Sequence, residues 1–423
     1  MSSQQVAIDD LTTDFGGLRR AVPAAVHRMP TAFSAPLLGS GRPLTLRGAG
    51  HSCDGQTVTN GELLVVYSPE SAARQVRDHS ETLTEAPAWA SWSGLERYLN
   101  DRGRSAPVLT DHLSVSVGGT LSAGGVGVGS VKYGMQVDQV ERIQLIDGTG
   151  VSRWCSRTEC PELFRFALGG FGTVGLIEQV VLRTVPLLPY THVHRTFHRT
   201  TTDLAEEAED IALRDDIDIY CASLRAGVLS SVVGRRTHER PLCRAENCDI
   251  VRTRPHSGRS HNRPVAATKD RVHLWTDFTV PAGRFTQLVA AVETLRHRPP
   301  LDRVLTMLYV LIIRRPLNAV PFAFAPAGDA PVSIGLGLYT SVDRDPHTIT
   351  ETRLVFHELS QQCRDLGGRP YLYGTHYLDA SLGEQFYGPD LNRLAQLRSI
   401  HRLEHVNAHL PLAQAAAYLH RNR

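Results

Sequence analysis

The sequence lacks a charge excess, a long apolar run and a tight cysteine pairing, and each absence removes a class of function. Its 423 residues carry 45 basic and 43 acidic side chains, so no broad field steers the chain to nucleic acid or to an anionic membrane surface. No stretch reaches the roughly 20 apolar residues of a membrane-spanning helix, and the opening MSSQQVAIDDLTTDFGG has no basic segment followed by an apolar one. The expectation is a soluble cytoplasmic protein with a small-molecule partner, no nucleic acid and no membrane. Seven cysteines is an odd count in a chain of this length and argues against a disulfide framework. The pairs Cys155/Cys160 and Cys243/Cys248 are wider than the C-x2-C of common zinc sites, so reduced thiols and no metal are expected. Lysine is nearly absent, Lys132 and Lys269 being the only two, and we attach no function to that. Absent as well are the Gly-Lys-Ser/Thr of a phosphate-binding loop, a GxGxxG opening a helix after the first strand, and any internal repeat.

What the chain does have is clustered glycine. From Leu44 to Thr184, short β-branched runs alternate with turns, which suggests antiparallel sheets with few helices. Three segments stand out there. Gly48 and Gly50 precede His51 in LTLRGAGHSCDGQTV; Gly118 and Gly119 open GGTLSAGGVGVG; Gly169, Gly170, Gly172 and Gly175 fill GGFGTVG. Glycine lets backbone N–H groups approach an anion such as a phosphate. Three such segments in one region suggest an extended ligand lying along the backbone, a dinucleotide held by something other than a Rossmann fold. One helix is expected here, with Trp89, Trp92, Leu95, Tyr98 and Leu99 on one face and Gly103 closing it.

After TVPLLPYTHVHR the text changes to longer alternating strands and helix candidates, including FHRTTTDLAEEAEDIALRDD with Thr202 as a cap and ITETRLVFHELSQQCRDLGG ending at glycine. Between them DIVRTRPHSGRSHNRPVAATKD has no periodicity and reads as a solvated loop.

In order, DFGG, RGAGHSCDGQ, LTDHLSVSVGGTLSAGGVG and LFRFALGGFGTVGLI resemble the FAD domain of cytokinin dehydrogenases, within the vanillyl-alcohol oxidase and p-cresol methylhydroxylase (PCMH-type) superfamily. The resemblance covers the first ~185 residues and continues faintly into RVHLWTDFTVP, GGRPYLYGTHYL and LEHVNAHLP. It implies an α+β protein of two domains: an FAD-binding domain of two α+β subdomains at 1–186, completed by 376–423, and a sheet-plus-helices cap over 187–375. It also implies FAD, cradled by Arg47, Gly48, Ala49, Gly50, His51 and Ser52 and bonded covalently through His51, with Gln56 in support. Ser116, Gly118, Gly119, Thr120, Ser122, Val126 and Ile177, and more weakly Tyr371 and Asn407, carry over as further flavin contacts. His112 stands where doubly attached relatives have cysteine, so a single attachment is expected.

The aspartate of LTDH, Asp111, matches the residue that in the family accepts a proton from the substrate amine as hydride leaves the adjacent carbon. The neighbouring Leu109 and His112 depart from the family's aromatic residues, and no position matches its acidic cap residue. Trp275, Asp277, Tyr309, Tyr339, Tyr373, His376 and Tyr377 are the cap's candidates for the substrate pocket. The implied activity is an FAD-dependent oxidase or dehydrogenase removing a hydride from a C–N or C–O carbon, with O2 or a quinone as acceptor, in secondary metabolism or on a cytokinin. A redox-neutral cyclase or isomerase using the flavin pocket is the alternative.

Overall fold

The strands from Tyr190 onward alternate with a period of two, and the computed structural model shows what each set of side chains faces. It describes residues 11–29, 35–67, 75–252, 270–376 and 378–421. Eight antiparallel strands form one sheet in the order Cys248–Arg252, Tyr190–Phe197, Val228–Thr237, Ile219–Arg225, Leu305–Arg314, Val332–Thr340, Trp275–Pro281, Arg369–Pro370. Even-numbered residues such as Tyr220, Leu308, Val310, Leu336, Leu338 and Phe278 are buried in one core. Helices Thr201–Ala212, Phe285–Arg296 and Pro346–Asp365 close that core with Leu204, Leu288, Val292, Phe356 and Leu359. Odd-numbered residues of the same strands face a cavity, as the pleat requires.

A second core joins the first part of the chain to its end. A five-stranded antiparallel sheet, built on Leu83–Pro87, Leu176–Arg183 and Val140–Ile146, packs with helices Trp92–Asn100 and Pro161–Ala167. The helices Ala380–Ile400 and Pro411–Arg421 add Leu391, Leu394, Leu412 and Leu419 to that core, and Phe322 and Phe324 enter it from the middle of the chain. The class is α+β. Among the described residues no helix is long and apolar enough to cross a membrane.

Three local expectations need correction. The strands Ala25–Met29, Leu63–Tyr67 and Leu44–Arg47 pair in parallel, not antiparallel. Parallel neighbours need a crossover rather than a hairpin, and the crossover from Arg47 to Leu63 is the loop carrying His51. Second, SVSV lies in the region expected to be built of short strands and alternates like one, yet it is not a strand: Ser116 makes one isolated bridge to Ser91, and Val117–Ala123 is a short helix holding Gly118 and Gly119 in its first turn. Third, Thr200, not Thr202, caps helix Thr201–Ala212; its hydroxyl accepts from Asp203 N at 3.1 Å while the Asp203 carboxylate accepts from Thr200 N at 3.0 Å. That reciprocal pair satisfies two otherwise orphaned donors, which Thr202, already inside the helix, cannot do. The helix at Trp92–Asn100 forms as expected, capped by Ser91, whose Oγ accepts from Gly94 N at 3.1 Å. The arginine-rich stretch 253–269 lies outside the described residues.

Candidate active site

The His51 loop is held by packing that leaves its glycines no room for side chains. Gly50 adopts φ +73°, and a Cβ there would lie 2.4 Å from the Arg47 guanidinium. Arg47 in turn donates to the Thr57 carbonyl at 3.0 Å, pulling the loop closed. A Cβ on Gly48 would meet Ser116 Oγ at 2.4 Å, and Ala49 N donates to that same hydroxyl at 3.3 Å. Ser116 thereby joins the first glycine segment to the second. The second joins the third through Gly169 N to Leu121 O at 2.9 Å and Phe171 N to Ser122 O at 2.8 Å. Asn407 closes the ring from the far end of the chain: its Oδ1 accepts from Leu46 N at 2.8 Å, and its amide donates to the carbonyls of Phe171 and Gly172.

His51 stacks on Phe15 of the DFGG segment, with ring centroids 4.0 Å apart, and lies 4.7 Å from His112. Phe15 is fixed by its N–H to the Ser52 carbonyl at 3.1 Å, and neighbouring Asp14 accepts from Gly55 N at 2.9 Å. The His51 Nε2 is buried without a hydrogen-bond partner. Burial, reinforced by His112, pushes the pKa of this ring down to about 4, so it is neutral at physiological pH and its lone pair is available.

These elements line one side of a cavity of about 1720 Å³ whose other side is the odd-numbered face of the eight-stranded sheet. Sites for one small molecule run to about 300–1,000 Å³, so the volume suffices for a dinucleotide and a second ligand. On the sheet side, Asp277 pairs across from Gly337, and Trp275 across from Tyr339. A Cβ at Gly337 would lie 2.4 Å from Asp277 Oδ1 and 2.7 Å from the Tyr339 ring, so glycine makes the space the carboxyl occupies. Burial pushes the Asp277 pKa up to about 6, opposed by hydrogen bonds from the Tyr373 and Tyr339 hydroxyls. Its Oδ2 is buried without a partner. Asp111 lines the same cavity and is bonded to the hydroxyl of Tyr309, which reaches across from the sheet.

Asp111 and every residue expected to touch the flavin, from Arg47 through Asn407, line this cavity. Their contacts refine what each can do. Gln56 commits its amide N–H groups to the Leu372 and Gly374 carbonyls, both at 3.1 Å, and so pins the 371–375 turn. Tyr371 accepts from Gly125 N at 3.0 Å, and Ser122 donates to Gly118 O at 2.7 Å. Of the cap candidates, Trp275, Asp277, Tyr309, Tyr339 and Tyr373 line the cavity. His376 does not: it bridges Thr276 Oγ1 and the Tyr371 carbonyl, at 3.1 and 2.7 Å, and burial holds its pKa down to about 4. Tyr377 lies outside the described residues. His273 was not singled out, yet it is buried, lines the cavity beside Trp275 and has no partner on either ring nitrogen. The alternation His273, Trp275, Asp277, Thr279 carried that signal.

The donor set fits FAD on the structure's own terms. Close-packed glycines bare the backbone along the cavity, and His51, a neutral imidazole whose Nε2 has no partner, lines it.

Comparison with known proteins agrees. A family model described as an FAD binding domain matches residues 38–156. The chain is 26% identical over 403 residues to an uncharacterized oxidoreductase, ORF5 in the fasciation locus of Rhodococcoides fascians, covering 87% of this chain and 88% of that one. It is 29% identical over 235 residues to cytokinin dehydrogenase 4 of Oryza sativa subsp. japonica, covering 52% of this chain and 44% of the rice protein. With cytokinin dehydrogenase 4 of Arabidopsis thaliana it shares 36% over 137 residues, 31% of this chain and 26% of the plant protein. The match thus spans less than half the length of these plant relatives. Over residues 38–156 the chain resembles FAD binding domains, it is similar to cytokinin dehydrogenases over part of its length, and it is an FAD-dependent oxidoreductase.

Proposed function

We propose that this cavity holds FAD linked covalently through His51 and that the chain oxidises a small molecule at a carbon bearing nitrogen or oxygen. The backbone from Arg47 to Ser52 and around Ser116, Gly118, Gly119 and Thr120 holds the dinucleotide, with Ser122, Val126, Ile177, Tyr371 and Asn407 completing its walls. In this reading the unit around the core shared by both chain ends is the flavin domain, and the eight-stranded sheet is the substrate-side cap. When bound, FAD would supply the hydride acceptor, with O2 or a quinone as the final oxidant.

The chain's own residues supply the rest. Asp111 accepts the proton from the substrate's N–H or O–H, and Tyr309 orients its carboxylate through their hydrogen bond. Trp275, Tyr339 and Tyr373 give the substrate an apolar wall, and Asp277 offers it a buried acceptor. One observation carries the reading: Asp111 and His51 face a single cavity, linked through the ring contact of His51 with His112, the residue after Asp111. Because the plant relatives are named for cytokinin, a cytokinin is the first substrate to mix, followed by other amines and alcohols. Anaerobic mixing should bleach the oxidised flavin band in step with product formation. Product formed while the band stays constant supports the redox-neutral alternative instead.

A further inference from the structure

We propose that His192, His194, Cys243 and Cys248 form a zinc site with four protein ligands at the outer edge of the eight-stranded sheet. His192 and His194 stand two residues apart in strand Tyr190–Phe197 and so share one face. Thr191, the residue just before them, lines the cavity, which puts both imidazoles on the opposite face. The sheet register sets Cys248 directly across from His194 and Ile250 across from His192, so the Cys248 thiol lies beside both rings. The ring centroids are 4.6 Å apart, and His192 Nε2 is 3.1 Å from Cys248 Sγ. Cys243 arrives from the preceding turn, which Cys248 N closes onto Ala245 O at 3.1 Å. One ligand atom from each of the four side chains lies within 4.8 Å of all the others.

Zinc bonds of about 2.0 Å to nitrogen and 2.3 Å to sulfur set tetrahedral ligand atoms roughly 3.3–3.8 Å apart. Small side-chain rotations close that gap. A two-sulfur, two-nitrogen tetrahedral set favours zinc over the harder divalent cations. On binding, the two thiols give their protons to solvent, the two thiolates balance the Zn2+ charge, and no electrons move. Four protein ligands leave no open coordination position, and none of the four residues lines the cavity. The role is therefore structural. Among the described residues, strand Cys248–Arg252 is an edge strand paired with Tyr190–Phe197 alone, and the metal ties that edge and the turn before it to the strand that leads from the cavity. The proposal does not depend on the flavin reading.

The test is the metal content of the full flavin-loaded chain, freed of any affinity tag, held under a phosphine reductant, incubated with Zn2+ and gel-filtered. Elemental analysis should find about one zinc per chain. Cys243→Ser/Cys248→Ser and, separately, His192→Gln/His194→Gln should each lose it while flavin content and elution volume stay unchanged. Co2+ in place of zinc should give thiolate charge-transfer absorption in the difference spectrum between wild type and the cysteine variant. Should one variant fail to fold, the wild-type zinc content and the other variant still decide. Wild type without zinc, zinc retained by both variants, or a Cys243–Cys248 disulfide in protein alkylated without reductant would each overturn the site.

Discussion

Adding one methyl group at Gly337 should distort the substrate side of the cavity, whereas the same change at Gly335 should not. Both glycines lie in strand Val332–Thr340 and face the cavity. At Gly337 the new Cβ would sit 2.4 Å from Asp277 Oδ1 and 2.7 Å from the Tyr339 ring. Neither neighbour is the free end of a long chain, because the carboxyl is buried and both groups belong to one hydrogen-bonded cluster with Tyr373. Overpacking of this kind costs about 1–3 kcal/mol. Replacing a strand glycine recovers roughly 0.5–1 kcal/mol of backbone entropy. The net for Gly337→Ala is a loss centred near 1 kcal/mol and at most about 2.5 kcal/mol, which lowers the thermal midpoint by about 2–4 °C per kcal/mol for a unit of this size. At Gly335 the nearest atom is Thr279 Cγ2 at 3.4 Å, an ordinary contact, so Gly335→Ala should match wild type or gain up to roughly 1 kcal/mol. Thermal unfolding followed by circular dichroism reads both. Equal midpoints for the two variants, or a lower one for Gly335→Ala, refute the argument that Gly337 makes room for Asp277.

Asp111→Asn keeps size but cannot accept a proton, so anaerobic flavin reduction should slow by ~10²–10⁴-fold with flavin content retained; a wild-type rate removes Asp111 from the mechanism and moves the base to Asp277. Burial raises the Asp277 pKa from 3.8 to about 6, so its contribution to stability is fully present below the unfolded value and is lost as pH rises through about 6. That displacement corresponds to roughly 3 kcal/mol, and Asp277→Asn should raise the thermal midpoint relative to wild type at pH 8 but not at pH 4; a pH-independent difference contradicts the raised pKa of the buried carboxyl. Asn407→Ala strands the Leu46 N–H and frees two carbonyls, a loss of roughly 2–3 kcal/mol, and should lower both the thermal midpoint and flavin retention. Unchanged values for that variant show that the chain's end does not hold the glycine segments together.

Local pattern in the sequence was enough wherever a contact is local. Alternation in WTDFTVP and its neighbours marks the strands, and the glycines and histidine of the RGAGHS loop mark the ligand side. Where pairing is long-range, the text is silent. Parallel pairing of Leu44–Arg47 with Leu63–Tyr67 depends on a crossover, not on composition. Ser-Val-Ser-Val alternates like a strand, yet tertiary bonds from Val117 and Gly118 N–H to Ala90 and Ala88 turn it into a helix entrance. His192 and His194 are some fifty residues from Cys243 and Cys248, so only the sheet register brings the four together. A spacing rule applied along the chain cannot find such a set.

FAD held in this cavity and bonded through His51, as we propose, leaves a chemical mark that can be read directly. Purified protein, denatured in acid and digested, should yield a single flavin-bearing peptide whose mass and fragmentation place the flavin on His51, and His51→Ala should release all flavin to the supernatant. Flavin recovered wholly free from denatured wild type contradicts the bond. Protein that carries no flavin and takes up none when incubated with FAD contradicts the site itself.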